Sequence, residues 1–192
     1  MTNHHLTHEE AAVEPLDAWL DRLAAPGADP GGGAAAAVML GLGSALVGKV
    51  ASYPSRDGAD LAGVRDAADA LRRRSLKLVA ADGAASARLV AAWRSRSDDL
   101  AAAAVAAAGT SADILAVVED AIPLLAELAR LGSAPLLADV AAAAAAYGAA
   151  ARVAVLNLDG DLHLAGAPDR EDLAGRGERL IARLDAATRI PR

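Results

Sequence analysis

The chain has 192 residues, a formal net charge of −6 and a pI near 5.1. That length suffices for one well-buried core, and the acidic balance excludes a protein that grips nucleic acid along a broad basic face. The absence of cysteine excludes a disulfide framework, a thiolate metal site and a cysteine nucleophile and, with no signal peptide in view, points to the cytoplasm.

More than a quarter of the residues are alanine, with no Phe and only two Trp and two Tyr. Alanine is the best helix former and a poor strand former, so the composition predicts an all-α protein, an antiparallel bundle of about six alanine-rich helices, with no convincing strand. Residues 1–10, which carry His4, His5 and His8 beside Glu9 and Glu10, read as a mobile polar tail, and residues 11–192 as a single helical domain. Adjacent histidines on a flexible tail lack a preorganised partner, so no metal role is assigned to them.

The first helix is expected to start near Pro15, a residue suited to a first turn, and to carry Leu16, Trp19, Leu20 and Leu23 as one apolar stripe before Pro26-Gly27 ends it. Next comes Asp29-Pro30-Gly31-Gly32-Gly33, then a helix over Ala34 to Ser52 that is small or apolar on every side. Such a helix must be enclosed by others, which makes it the central one. Its stripe of Ala37, Gly41, Ala45 and Gly48 would let another backbone approach closely. A helix from about Asp60 to Trp93 follows and would be about 45 Å long at 1.5 Å per residue.

A charged break at Arg94 to Asp99 precedes a predicted short helix, Leu100 to Ala108, closed by Gly109. Thr110 or Ser111 is then expected to cap a helix reaching Leu131, with Pro123 inside it as a kink. Pro135 opens a second enclosed helix through Asn157, Asp159-Gly160-Asp161 makes a turn, and the last helix runs from about 168 to 187. Two stretches, Ala34 to Gly48 and Val140 to Ala151, resemble membrane spans. Each is shorter than the roughly 20 apolar residues a span needs, and Lys49, Asp139 and Arg152 interrupt them, so no membrane partner is expected.

Three stretches in order, Trp19-Leu20-Asp21-Arg22-Leu23, Pro30-Gly31-Gly32-Gly33-Ala34 and Gly41-Leu42-Gly43-Ser44-Ala45, carry the most specific pattern in the chain. A short helix, a Pro-Gly-Gly-Gly turn and an Ala/Gly helix in this sequence resemble the opening of the cyclodeaminase/cyclohydrolase family of folate enzymes. Leu71-Arg72, Asp82, Pro123-Leu124, Asp139 and Asn157-Leu158 extend the resemblance over roughly residues 15 to 185. The chain departs from the family pattern at Ala34 and Ala138, where serine is usual, at Val153, where asparagine is usual, and over Tyr53 to Gly58.

The resemblance implies a folate enzyme working as a homodimer on a tetrahydrofolate derivative. With no transferase region in view, it favours a stand-alone cyclohydrolase that opens 5,10-methenyltetrahydrofolate to 10-formyltetrahydrofolate. The alternatives are a formiminotetrahydrofolate cyclodeaminase releasing ammonia, and a non-catalytic binding or assembly module on the same scaffold. Methenyltetrahydrofolate is a cyclic amidinium cation, and a carboxylate beside its one-carbon bridge can both attract the cation and take a proton from the attacking water.

Asp139 is the first candidate for that carboxylate, because a charge beside Val140 and six alanines is costly to bury unless it is paired. It reads equally as a first-turn acid facing the helix dipole, four residues after Pro135. Asp82 is the second candidate, able to orient Lys49 or Arg72, or else a member of a surface ion pair. Gly31, Gly32 and Gly33 offer unpaired amides with no Cβ in the way, or form a plain turn. Lys49 and Arg72 are candidates for the glutamate tail of a folate, and Asn157 for a substrate contact or a helix C-cap. His163, after a turn and far from every motif, is not assigned to catalysis. With no Ser-His-Asp triad and no metal-ligand cluster, metal-independent chemistry is expected.

Overall fold

The structure, a computed structural model, describes residues 15–27, 29–167 and 170–187. The expected N-terminal tail and its histidines lie outside these residues. Six α-helices and one 3-10 turn make up the described chain: α1 (Leu16–Ala24), α2 (Gly32–Ala51), α3 (Ala62–Ser95), α4 (Leu100–Leu131), the 3-10 turn Ala134–Leu136, α5 (Leu137–Ala165) and α6 (Arg170–Ala187). The all-α expectation holds, and no strand occurs among the described residues.

α2 is the central helix because its composition leaves it no polar face. It packs against α3, α4 and α5, while α6 covers α4 and α5. Ala34, Ala36, Ala37, Leu40, Val47 and Val50 are fully buried. The small-residue stripe meets α3 in antiparallel register, with Gly48 facing Ala68 and Gly41 facing Ser75. α5 also runs antiparallel to α2, and the Tyr147 ring packs against Gly43, where a Cβ would come within 2.9 Å of it. The Tyr147 hydroxyl bonds Ser44 Oγ at 2.8 Å, which satisfies the one polar atom of the largest fully buried side chain.

Two expected breaks are absent. α4 is continuous from Leu100 to Leu131, so Gly109 does not close a helix and Thr110 does not cap one. The alanine run on one side and the core stripe of Ile114, Val117, Val118 and Ala121 on the other hold the helix through this glycine. Likewise Asp159-Gly160-Asp161 is helical. Leu158 and Leu162 continue the buried stripe, and α5 stops only at Gly166, whose φ of 67° forms a left-handed C-cap. Asn157 is therefore a mid-helix residue and not a cap.

α2, α4 and the stretch Ala134–Ala165 are 20, 32 and 32 residues long, each long and apolar enough to cross a membrane by length and composition. Shortness therefore does not exclude a span. Burial inside the bundle explains the apolar character of α2, half of whose apolar window is covered by protein.

Candidate active site at the start of the second helix

The turn before α2 enters through a cis Asp29–Pro30 peptide and reaches Gly31, the N-cap of α2, which supplies no side-chain cap. The first-turn amides of α2 are thus left without the usual local acceptor. Asp82 of α3 supplies a carboxylate from across the bundle. Its carboxyl group lies directly on Gly33, where any Cβ would overlap it. Glycine is required at this position by that close approach.

Asp82 is only 4% exposed. Burial pushes its carboxyl up from the usual carboxylate range, and the negative charge of Asp29 adds to that push. The Thr110 hydroxyl, the Ala34 amide and the Ser86 hydroxyl lie close enough to pull the other way when they donate to the carboxylate. Thr110 Oγ1 is 3.1 Å from Asp82 Oδ1, whereas neither Ala34 nor Ser86 is aligned well enough to satisfy Oδ2, which is buried without a hydrogen-bond partner. A buried carboxylate oxygen with no partner is costly in a structure that serves stability alone.

Two more acids complete the cluster. Asp29 rests its carboxyl group on Gly83, the neighbour of Asp82, and lies 4.0 Å from the Arg22 guanidinium of α1. Asp161 of α5 is pushed up to about 6, first by burial and then by the charge of Asp82. It follows Val153 and Asn157 at intervals of four residues on α5, and both of these approach Gly32, at 3.7 Å and 4.0 Å from the place a Cβ would take. The site thus joins the glycine turn, α3, α4 and α5. It presents three carboxyl groups in different degrees of burial beside the positive end of a helix.

The sequence candidates fall at two ends of α2. Gly31, Gly32, Gly33, Asp82 and Asn157 come together at its start. Lys49 and Asp139 meet at its other end, about 24 Å along the axis at 1.5 Å per residue, in a partly exposed ion pair of 2.9 Å. That hydrogen bond, and the charge of Asp139, raise the Lys49 ammonium above its ordinary value. Asp82 orients neither of the cations proposed for it, since Lys49 is held by Asp139 and Arg72 is paired with Asp69 at 3.1 Å, about 15 Å before Asp82 along α3. A groove of about 600 Å³ between α3 and α4, lined by Arg88, Ser95, Ser97 and Asp99, lies on a different flank of α3 from Asp82.

Sequence reading missed Asp29, Thr110, Ser86 and Asp161. The signal for Asp161 was the four-residue spacing of Val153, Asn157 and Asp161, hidden by reading Asp-Gly-Asp as a turn. Among the described residues no group of three or more His, Cys, Asp or Glu is arranged to hold a metal ion.

The family model for formiminotransferase-cyclodeaminase matches residues 15–169. The chain belongs to this family. Within the family frame, the glycine turn and Asp82 lie inside the matched region, as do Thr110 and Asp161. A crystal structure titled formiminotetrahydrofolate cyclodeaminase, from Thermotoga maritima, superposes with a TM-score of 0.81 over 92% of each chain at 23% sequence identity. At that identity the likeness establishes the fold. No curated protein sequence matches this member of the family.

Proposed function

We propose that the chain hydrolyses 5,10-methenyltetrahydrofolate to 10-formyltetrahydrofolate at the start of α2. The observation that carries this reading is the buried Asp82 carboxyl group on Gly33, with one unpartnered oxygen and with Asp29 and Asp161 beside it. Three carboxyl groups favour a cationic ligand. Asp82 and Asp161 both have raised proton affinity, Asp161 to about 6, which suits carboxyl groups to proton transfer.

In the reaction, the oxygen of water bonds to the one-carbon bridge as a carboxylate accepts one of its protons. The tetrahedral carbon then releases one ring nitrogen, whose bonding electron pair takes a proton from a carboxylic acid. The remaining hydroxyl proton departs to leave the formyl group. The net change consumes one water and the cation, and yields the neutral formyl compound and one proton.

The name of the Thermotoga protein favours a second reading, cyclodeamination of the formimino compound. It needs the same two proton transfers around the same carbon, with a folate nitrogen as nucleophile and ammonia as the leaving group. Val153 places an apolar methyl beside Gly32, which makes this end of the site less polar than asparagine would.

The test is the absorbance decay of methenyltetrahydrofolate with wild type, Asp82→Asn, Asp139→Asn and no enzyme, with ammonia release from the formimino compound in parallel. Asp82→Asn is expected to lower kcat about 10²- to 10⁴-fold, the usual contribution of a positioned acid or base. Asp139→Asn is expected to retain turnover. Loss of turnover in Asp139→Asn alone would move the site to the far end of α2. Ammonia release without accelerated ring opening would select the second reading.

A further inference from the structure

Gly31, Ala35, Val38, Leu42, Ala45 and Lys49 follow one another along α2 at intervals of 4, 3, 4, 3 and 4 residues, the period that forms the seam between two paired helices. The four inner positions are apolar. α3, α4 and α5 take the other sides of α2, so Ala35 and Val38 are only partly buried, Ala45 is exposed and Leu42 is 56% exposed. Because Gly41 faces Ser75, the next residue of α3, Leu76, stands level with the middle of this stripe. Arg74 bonds Asp120 of α4 at 2.8 Å, and Leu76, two residues on and so on the opposite side of α3, is 57% exposed. Leu42 and Leu76 thus share a face turned away from α4.

Exposed apolar side chains gathered in this way mark an interaction surface. Lipid suits it poorly, since Arg72 and Arg73, one turn before Leu76, and Lys77 beside it would enter the hydrocarbon together with it. The interval pattern reads the same from either end about the level of Leu40, as two identical helices paired antiparallel across a two-fold axis require. In that register Leu42 meets Val38, Ala45 meets Ala35 and Lys49 meets Gly31 of the other copy, in both directions. Charge selects the same orientation. Antiparallel helices set the positive start of one against the negative end of the other. The half-exposed Lys49 ammonium also arrives where Asp29, Asp82 and Asp161 gather, whereas parallel pairing would stack the two acid clusters on each other.

We infer that a second copy of this chain covers the exposed side of α2, the two α2 helices pairing antiparallel about Leu40, and that Lys49 of each copy serves the site of the other. Within one copy Lys49 is held by Asp139 about 24 Å from the glycine turn, out of reach of a ligand there. From the partner subunit it borders the turn and can receive an anionic end of the ligand, which in the folate reading is the glutamate carboxylate. That ligand assignment rests on the function proposed above. The pairing does not.

Sedimentation velocity tests the pairing on wild type, Leu42→Glu, Leu76→Glu and, as a control on α4, Val105→Glu, a position 55% exposed, with circular dichroism to verify that each is folded. Wild type is expected to sediment as a dimer. Leu42→Glu and Leu76→Glu are expected to weaken association at least about 30-fold, the scale of a central interface residue, and Val105→Glu to leave it unchanged. A monomeric wild type would overturn the inference, and so would a dimer indifferent to both substitutions. A monomer that binds phosphatidylcholine vesicles would assign the face to lipid instead. The chain has no cysteine, so introduced thiols report the register. Mild oxidation is expected to join Ala35→Cys to Ala45→Cys protein in a mixture and to join neither variant to itself. Ala45→Cys cross-linked to itself would overturn the antiparallel pairing.

Subunit exchange tests the shared site. Lys49→Met is expected to raise KM about tenfold, the weight of one hydrogen bond to a charged group, with kcat little changed, while Asp82→Asn has little turnover. A mixed dimer of these two variants holds one site with both Asp82 and the partner's Lys49, so mixing them restores turnover at the wild-type KM. An unchanged KM in Lys49→Met, or a mixture that restores nothing, would overturn the role of Lys49 across the pair. Absence of turnover in wild type would remove the folate reading, and sedimentation and cross-linking would still decide the pairing.

Discussion

Asp161 illustrates how one side chain is given its chemistry by its surroundings. Pushed up to about 6 from 3.8, it is ionised above that pH and protonated below it. Acting as a general base in the proposed reaction, it is expected to make kcat/KM rise with pH through about 6 and level off above, with Asp161→Asn removing that limb. A pH–rate profile at substrate concentrations well below KM checks this. Native stability runs in the opposite sense. Between about 4 and 6 the folded chain holds a proton here that the unfolded chain has released, so this group favours folding on the acid side and loses that contribution as pH rises through 6. Gly43 is set by contact alone. A methyl group there would come within 2.9 Å of Tyr147 Cε2, and the ring is tethered to Ser44 at 2.8 Å. Gly43→Ala is therefore expected to cost about 1–3 kcal/mol through overpacking, read as a fall in the denaturant midpoint with an unchanged slope.

At the level of whole helices, the two glycines that sequence reading treated as stops are interior and open. Nothing lies within 4 Å of a Cβ at Gly109 or Gly160. Replacing either with alanine removes the backbone-entropy cost of an exposed helical glycine and is expected to add about 0.5–1 kcal/mol, checked by thermal unfolding of the two single variants and the double. The same two positions show which parts of the fold were legible. α1, α2 and α3 could be placed within a few residues from Pro15, from the run of small residues after Gly33 and from the stripe through Val64, Ala68 and Leu71. Gly109 and Asp159-Gly160-Asp161 misled because glycine and aspartate are local turn formers, while the opposing evidence was tertiary. It took Leu158 and Leu162 meeting Ala108 across the bundle to keep α4 and α5 whole. The site was half legible for the same reason. The glycine turn and Asp82 stand out as residues, but only the antiparallel register of α2 with α3 and α5 puts Asp82 and Asp161 at the start of α2 and Asp139 at its end.

Across the molecule, the helices divide into a middle that packs and an end of α2 that gathers the candidate site. The centre of α2 is lined by alanine, glycine, leucine and valine and packs against α3, α4 and α5, with Ser75 and Tyr147 among the facing residues, and the two carboxyl groups with raised proton affinity, Asp82 and Asp161, lie where α2 begins. A buried alanine gives up no rotamer freedom on folding, whereas a long side chain gives up as much as about 2 kcal/mol. Burying the many alanines of α2, α4 and α5 therefore costs mainly backbone freedom, while Leu40, Ile114, Leu125, Leu128 and Leu184 supply the larger fully buried hydrocarbon. Growth at a glycine of α2 meets a neighbouring side chain, Tyr147 at Gly43 and Asp82 at Gly33. Val153, midway along α5, is partly buried against the core yet reaches Gly32 at the start of α2, so a change there alters the lining of the candidate site from within the bundle.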